Sequence, residues 1–470
     1  MLCSVFLFLS VGCSKDNVGT HEPGVDSSQT RITQKAPFDN VVLIIADTLR
    51  SDVIGAYGNR IVETPNIDSL AGRGLLFERC ISQSSTTGPS HASIFTSSYP
   101  KDHGVYDHST KLGEDWITLA EVFKKNGFDT AAFVSSAVLQ PELGYGQGFD
   151  YYSSIPPLPP YQRDSEQTNS KVFEYLDKRG DKPFFLWVHY FDTHGPYDAP
   201  EPYKNKYLSL MEKSKDSLKL SEILDPAIPS RKLNANWYGQ YAGEHDTDFV
   251  ISRYYGEVSY QDFSVGQLIS KLAEMGILEK TLVVFTADHG ESLTEHGIYF
   301  THIGLYREAI DVPLIIAGPA ATRIKTTVSL IDLYPTILDL MGIEVPIGLR
   351  GTSLVRSASE KPVQKPAISE HAWGYAVSMI EGKYKFILYL KDFDLEPQMG
   401  LIKGKVQMFD LAVDPYELVD IAGENERKVD AFRVWIDKWL KNKKSESGRR
   451  LAEDADKDFK RMLESLGYVR

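Results

Sequence analysis

Residues 40–47 read Asn40-Val41-Val42-Leu43-Ile44-Ile45-Ala46-Asp47, an unbroken apolar run that closes on a carboxylate. A strand with no polar alternation has both faces covered, which is the condition of a parallel strand inside an α/β sheet. Similar runs stand at 130–134, 184–189, 282–286 and 314–317, and helical periodicity is read over 65–75, 89–97, 117–127, 166–179, 255–276 and 330–341. Strands alternating with helices predict an α/β fold with a mostly parallel sheet flanked by helices, whose functional groups gather at the strand C-termini.

From about residue 365 the pattern changes to short strands with turns, around 375–380, 385–389 and 406–410. An amphipathic helix over about 425–442 and a charged one over 448–465 follow. This reads as a small C-terminal α+β domain with an antiparallel sheet. The stretch 203–250 is polar and irregular, and loops of that length usually carry function or disorder. The expected division is a signal peptide over 1–13, a polar tether over 14–37, a large α/β domain over 38–362, and a C-terminal subdomain with a helical tail over 363–470.

The apolar run 2–12 is too short to cross a hydrocarbon core of ~30 Å, and it matches the apolar region of a signal peptide. Ser10 and Gly12 before Cys13 resemble a bacterial lipobox, so the expectation is a cell-envelope lipoprotein, with plain secretion as the alternative. Membrane contact is then expected only through that lipid anchor. A net charge of −13 repels nucleic acid, so no nucleic-acid partner is expected. Three cysteines, two of them in the N-terminal run, exclude a disulfide framework and a cysteine metal site.

Three polar groups fall at predicted strand ends or helix starts: Asp47, the segment Thr87-Gly88-Pro89-Ser90-His91, and Asp288-His289-Gly290-Glu291. Asp47, Asp288 and His289 supply two carboxylates and an imidazole, a set suited to one divalent ion, Zn²⁺, Mn²⁺, Mg²⁺ or Ca²⁺. Pro89 suits a first helical turn, which puts Thr87 just before a helix N-terminus, where free N–H groups favour an anion. A hydroxyl held there against the metal ionises more easily and can attack a phosphorus or sulfur centre. Thr87 is therefore the expected nucleophile and a fourth metal ligand.

The tokens Asp47-Thr48-Leu49-Arg50, Thr64-Pro65-Asn66-Ile67-Asp68, Pro89-Ser90-His91-Ala92-Ser93, His103-Gly104-Val105, Thr286-Ala287-Asp288-His289-Gly290-Glu291 and Asp332-Leu333-Tyr334-Pro335-Thr336 occur in that order. They resemble the sulfatases of the alkaline-phosphatase-like superfamily from about residue 38 to the C-terminus. The resemblance implies a metal-dependent ester hydrolase and departs at its most specific point. Sulfatases carry Cys or Ser, any residue, Pro, Ser or Ala, then Arg, with the first residue converted to formylglycine. Here the positions read Thr87, Gly88, Pro89, Ser90 and His91, and Cys80 lacks the motif around it, so no formylglycine is expected. Thr48 stands for the second Asp of the family's pair, which tilts the metal from Ca²⁺ toward Zn²⁺ or Mn²⁺.

The resemblance also implies helpers. His194 matches the family's histidine after the strand at 184–188. His302 lies where sulfatases place an anion-binding Lys, and it is the expected proton donor to the leaving group. His91, in place of the motif Arg, is taken as catalytic, and His108 and His103 as substrate-binding. Asp192 with His189 or His194 is a possible second metal site. His296 and Glu295 are expected to be polar loop residues, and Asp262 and Glu257 solvated or supporting groups. The expected function is hydrolysis of sulfate or phosphate (di)esters on a small molecule, glycan or lipid. The alternatives are a phospho-headgroup transferase acting on envelope lipid or glycan, and a non-catalytic glycan-binding homologue.

Overall fold

The computed structural model describes residues 38–211, 217–224, 238–241, 245–318, 321–355, 365–392, 402–443, 449–450 and 461–463. All five apolar runs are strands of one sheet. It is built from β1 (Asn40–Ala46), β2 (Gly74–Ile81), β3 (Asp129–Val134), β4 (Tyr151–Ser153), β5 (Phe184–Tyr190), β6 (Thr281–Ala287), β7 (Asp311–Ala317), β8 (Thr322–Ile324) and β9 (Val328–Ser329). The order is β9-β2-β7-β6-β1-β5-β3-β4, with β8 beside β2. Strands β6, β1, β5, β3 and β4 are mutually parallel, and every residue of β1, β5 and β6 is buried.

The run at 314–317 belongs to β7, which is antiparallel to both β6 and β2. Uniform apolarity reports burial on two faces and carries no information on direction, so the parallel expectation fails at this strand. Strand β2 was not among the apolar runs, because Glu78 and Arg79 interrupt it. Helices Pro65–Ala71, Thr87–Thr96, Leu119–Lys125, Ser165–Lys178, Thr247–Glu274 and Leu333–Leu340 pack with the sheet into one apolar core. The fifth of these starts eight residues before the expected 255. Asp246 caps it by accepting from Phe249 N–H at 3.2 Å, and Phe249 and Val250 begin its buried stripe. Asp262 in this helix is buried rather than solvated: it accepts from Asn66 N–H and Ile67 N–H and so caps Pro65–Ala71. Within the polar stretch 203–250, Tyr207, Leu220, Ile223 and Tyr238 are buried in the main core.

The C-terminal sheet is antiparallel as expected. Its strands are β10 (Ala367–Glu370), β11 (Ala376–Glu381), β12 (Tyr384–Tyr389) and β13 (Val406–Asp410), in that order. Helix Glu426–Lys441 covers it through Phe432 and Ile436, and the Phe432 ring stacks on Phe386 at 4.8 Å. Both sheets fall within the compact unit 36–470. The signal peptide, the tether, the boundary at 362–363 and most of the helix expected over 448–465 lie outside the described residues. Among the described residues no helix is long and apolar enough to cross a membrane.

Glu370 ends β10 and ties this sheet to the segment that follows helix Thr87–Thr96. Its carboxylate accepts from Lys101 N–H at 2.9 Å and from the Tyr106 hydroxyl at 2.7 Å. Burial pushes its pKa from 4.5 up to about 7. An acid whose folded-state pKa is raised stabilises the fold fully below its unfolded pKa, and that contribution fades as pH rises through the folded one. Glu370→Gln fixes the neutral form. Its stability relative to the wild type should therefore rise between pH 4.5 and pH 8, by about 3 kcal/mol at most. Urea denaturation of both proteins across that range measures this, and a pH-independent difference would rule it out.

Candidate active site and metal centre

Strands β1 and β6 pair in register through Ala46 and Ala287, so Asp47 and Asp288 leave adjacent parallel strands at the same level. The backbone locks the two ends together: Asp288 N–H donates to Ala46 O at 3.1 Å, and Asp47 N–H to Tyr190 O at 2.8 Å. Thr48 then turns with φ of 52°, a left-handed conformation costly for a threonine, and its N–H donates to Asp288 Oδ1 at 3.3 Å. On the other side of Asp288, His289 N–H donates to the same oxygen at 2.7 Å. Gly290 is required next, because a Cβ there would overlap the Glu308 carbonyl.

Thr87 is the first residue of its helix, with Thr86 as N-cap, one residue further into the helix than the sequence indicates. Ser90 moors the helix to the β6 end, its hydroxyl donating to Asp288 O at 2.7 Å. Thr87 Oγ1 lies 3.3 Å from Asp47 Oδ2 and 3.3 Å from His289 Nε2. His289 Nδ1 donates to Gly290 O at 3.0 Å, so its Nε2 presents the lone pair toward Thr87. His289 Nε2 is also 3.8 Å from Asp47 Oδ1 and 3.6 Å from Asp288 Oδ2. All four side chains are fully buried.

This donor set fits a divalent ion. Asp47 Oδ1 and Asp288 Oδ2 are buried without a hydrogen-bond partner. Burial pushes both carboxyl groups well above the usual carboxylate range, and the charge of Asp47 pushes Asp288 further. Two neighbouring buried carboxylates are costly unless a cation compensates them. Asp47, Asp288 and His289 form one of the two groups of metal-ligand type among the described residues.

A ring of imidazoles lies beside this centre. The His302 ring is 4.5 Å from that of His289 and 5.6 Å from that of His194. Burial lowers the His302 pKa to about 4 and that of His194 to about 3, so both are neutral in the free site at pH 7. Glu291 Oε2 stands 3.9 Å from His302 Nδ1. His108 is buried as well, and burial holds its pKa well below the usual imidazole range, with protonation of His302 or His194 opposing it further. It packs over the helix start: a Cβ on Gly88 would come within 3.2 Å of His108 Nδ1 and 2.8 Å of the Tyr145 hydroxyl.

Not every expected residue joins this group. Both ring nitrogens of His103 are engaged within its own segment: Nδ1 accepts from Val105 N–H at 3.1 Å, and Nε2 pairs with Ser93 Oγ at 3.0 Å. His91 stands on the carboxylate side, its Nδ1 3.6 Å from Asp288 Oδ2. Asp192 belongs to neither group of metal-ligand type among the described residues, and its Oδ1 accepts from Ser165 N–H at 2.9 Å. Glu295 pairs with Arg50 at 2.7 Å, and His296 stacks on Tyr306. Glu257 accepts from Asp198 N–H and is buried. The sequence reading missed His371, which follows β10 in the other sheet; burial lowers its pKa to about 4, and protonation of His302 would oppose its own further. Nothing local marks His371, since only the packing of the two sheets brings it here.

The fold and the ligand set at its strand ends define an ester hydrolase of the alkaline-phosphatase-like class. The model that describes the Sulfatase family matches residues 39–343, and one described as N-sulphoglucosamine sulphohydrolase, C-terminal, matches residues 294–444. The chain belongs to the sulfatase family. Arylsulfatase K of Rattus norvegicus is 25% identical over 457 residues, covering 86% of this chain and 78% of that protein. The structure of a phosphonate monoester hydrolase of Agrobacterium radiobacter superposes with a TM-score of 0.68 at 22% identity, over 86% of this chain and 95% of that one. A further structure, solved in complex with its substrate D-glucosamine-2-N,6-O-disulfate, gives a TM-score of 0.70 at 19% identity over 86% and 98% of the two chains.

Proposed function

We propose that this protein hydrolyses sulfate or phosphate (di)esters or phosphonate esters with the Thr87 hydroxyl as nucleophile and without formylglycine. The observation that carries the reading is the placement of Thr87 Oγ1, 3.3 Å from both Asp47 Oδ2 and His289 Nε2 at the start of a buried helix. Asp47, Asp288, His289 and the Thr87 hydroxyl would hold a divalent ion, which would supply Lewis-acid stabilisation of the developing negative charge. Asp47 Oδ2 stands ready to accept the hydroxyl proton. Thr87 Oγ1 forms a bond to phosphorus or sulfur, and the bond to the leaving oxygen breaks. Water then hydrolyses the threonine ester and restores the hydroxyl. The groups described around Thr87 are carboxylates and neutral imidazoles, while Arg50 is engaged by Asp52 at 2.8 Å and Glu295 at 2.7 Å. Such a surround favours a singly charged diester, phosphonate ester or sulfate ester over a doubly charged phosphate monoester.

A phosphorylated threonine is open to attack by water at phosphorus. A sulfated one lacks the carbon–oxygen cleavage route that an aldehyde hydrate offers. Phosphodiester and phosphonate ester turnover should therefore exceed sulfate ester turnover. A substrate panel at fixed metal tests this ranking, and faster release of sulfate than of phosphate would reverse it. Quenching a reaction at early times should leave one phosphoryl or sulfuryl mass on the peptide containing Thr87. A non-catalytic binding protein would have no reason to keep the nucleophile and all three ligands together. Residues 1–13 are read with this function as a signal peptide and lipobox, cleaved before Cys13, whose lipid then holds the enzyme in the bacterial cell envelope.

His302 is the leaving-group acid in this reading. A bound anionic ester favours its protonated form, and its ring lies against His289 at 4.5 Å. His302→Ala should slow alkyl esters by about 10²–10⁴ while slowing activated aryl esters far less, because a good leaving group needs no proton. Steady-state kinetics on an alkyl and an aryl ester decide it, and equal losses would limit His302 to binding the anion.

A further inference from the structure

One buried hydroxyl beside the nucleophile takes no part in the reaction described above. Tyr145 belongs to the loop Gly144-Tyr145-Gly146-Gln147-Gly148, which lies between β3 and β4. Two of its glycines let the backbone lie flush against its neighbours. Gly144 has φ of 95°, and a Cβ there would come within 2.6 Å of Leu112 O. Gly148 has φ of 87°, and a Cβ there would overlap the Glu121 backbone. Leu112 N–H donates to Leu143 O at 2.9 Å, and Gly144 N–H to Pro141 O at 3.0 Å, which fixes the loop at its start. The Tyr145 ring is packed in the main apolar core.

Its hydroxyl stands at the start of the nucleophile helix. The oxygen is 2.8 Å from the place that a Cβ on Gly88 would occupy, and His108 Nδ1 is 3.2 Å from the same place. The missing side chain of Gly88 therefore leaves room over the first helical turn, with a phenol and an imidazole at its edge. Tyr145 is buried, and burial together with the charge of Asp107 raises its pKa, so the hydroxyl keeps its proton. Among the described residues that hydroxyl has no hydrogen-bond partner, although buried tyrosine hydroxyls usually find one.

The helix start supplies a second donor. Thr86, the N-cap, makes no side-chain cap, and the N–H groups of Thr87 and Gly88 lie in the first turn, where no carbonyl of the helix reaches them. Amides so placed favour an oxygen anion. We propose that Tyr145 is a further catalytic residue, its hydroxyl joining the Gly88 N–H in donating a hydrogen bond to a non-bridging oxygen of the ester during attack. Thr87 Oγ1 forms its bond to phosphorus or sulfur, and the bond to the leaving oxygen breaks as before. Tyr145 transfers no proton; it stabilises the charge that gathers on the non-bridging oxygen. This inference rests on the reading of Thr87 as nucleophile.

The test is Tyr145→Phe in the full-length, metal-loaded protein. The variant keeps the ring, so its melting temperature and metal content should match the wild type. Its kcat should fall by about 10²–10³ on whichever ester the wild type turns over, with KM within about threefold, as expected for one donor to a developing oxyanion. Inhibition by orthovanadate is the second readout, because its five-coordinate adduct with a hydroxyl resembles the attacked ester. The inhibition constant should rise by the factor by which kcat falls. A ring that only fills space would leave both values at the wild-type level. A kcat within about threefold of the wild type, or unchanged inhibition by vanadate, would overturn the proposal. Thr87→Ala measured in parallel separates the two readings. If Thr87→Ala is inactive and Tyr145→Phe behaves as wild type, only the role of Tyr145 fails. If Thr87→Ala behaves as wild type, the nucleophile and the donor that serves it fail together.

Discussion

Thr87→Ala should lower kcat by about 10³–10⁵ on every ester the wild type accepts while leaving metal content at the wild-type value. The magnitude follows from removal of a nucleophile rather than of a binding contact, which leaves only metal and positional assistance to water. Metal should be retained because Asp47, Asp288 and His289 converge without the hydroxyl, their ligating atoms lying within 4.8 Å of one another. Thr87→Ser keeps the oxygen and loses the methyl group that restricts χ1, so it should keep activity within about one to two orders of magnitude of the wild type. A wild-type-like Thr87→Ala would transfer the nucleophile's role to water. An inactive Thr87→Ser that binds metal normally would show that the hydroxyl must be held at one rotamer.

Chelation should abolish turnover and lower the melting temperature, and Asp47→Asn should separate the two effects. Asp47 and Asp288 are buried side by side, and the charge of one raises the pKa of the other. With no cation, the pair repels and strains the ends of β1 and β6. Asp47→Asn removes one of the charges, so in chelator the variant should melt higher than the wild type. With metal added, the order should invert. A bound ion at a hundred times its Kd adds about 2.7 kcal/mol to the wild type, and a variant that has lost a ligand gains little of it. Turnover of Asp47→Asn should fall by at least about 10³ at any metal concentration that saturates the wild type. Thermal denaturation with and without chelator measures the crossing. Parallel shifts in both proteins would mean that Asp47 is not a ligand.

The parts of this site that sequence exposes are those carried on uniform apolar strands. Runs such as 40–46 and 281–287 must be buried on both faces, so the polar residue that ends each is placed at the sheet edge without any tertiary knowledge. That logic reaches Asp47, Asp288 and His289, and the Pro89 signal reaches the helix beside them. It does not reach pairs made by register. His91 and His189 are almost a hundred residues apart, and only the pairing of β1 with β5 and the docking of the Thr87 helix through Ser90 bring their rings to 5.1 Å. His371 is hidden for the same reason, on a strand end of the other sheet. His103 shows the opposite limit. It follows the nucleophile helix closely in sequence, yet Val105 and Ser93 take both of its nitrogens. Strand β2 is obscured by Glu78 and Arg79, which a flanking strand tolerates and a central one would not.

The first turn of the helix that starts at Thr87 also bears on how the enzyme comes into being. Formylglycine enzymes depend on a maturation partner that must reach the motif before the chain closes over it, and in this protein Thr87 through His91 are buried to the last residue. A threonine at the head of that turn is delivered by the ribosome in its final chemical form. If Thr87 is the nucleophile, as proposed, every folded molecule should be competent as soon as it acquires metal, with no second gene needed for its activation. Active-site titration of protein made in a host lacking the maturation enzyme should count one reactive centre for each folded chain.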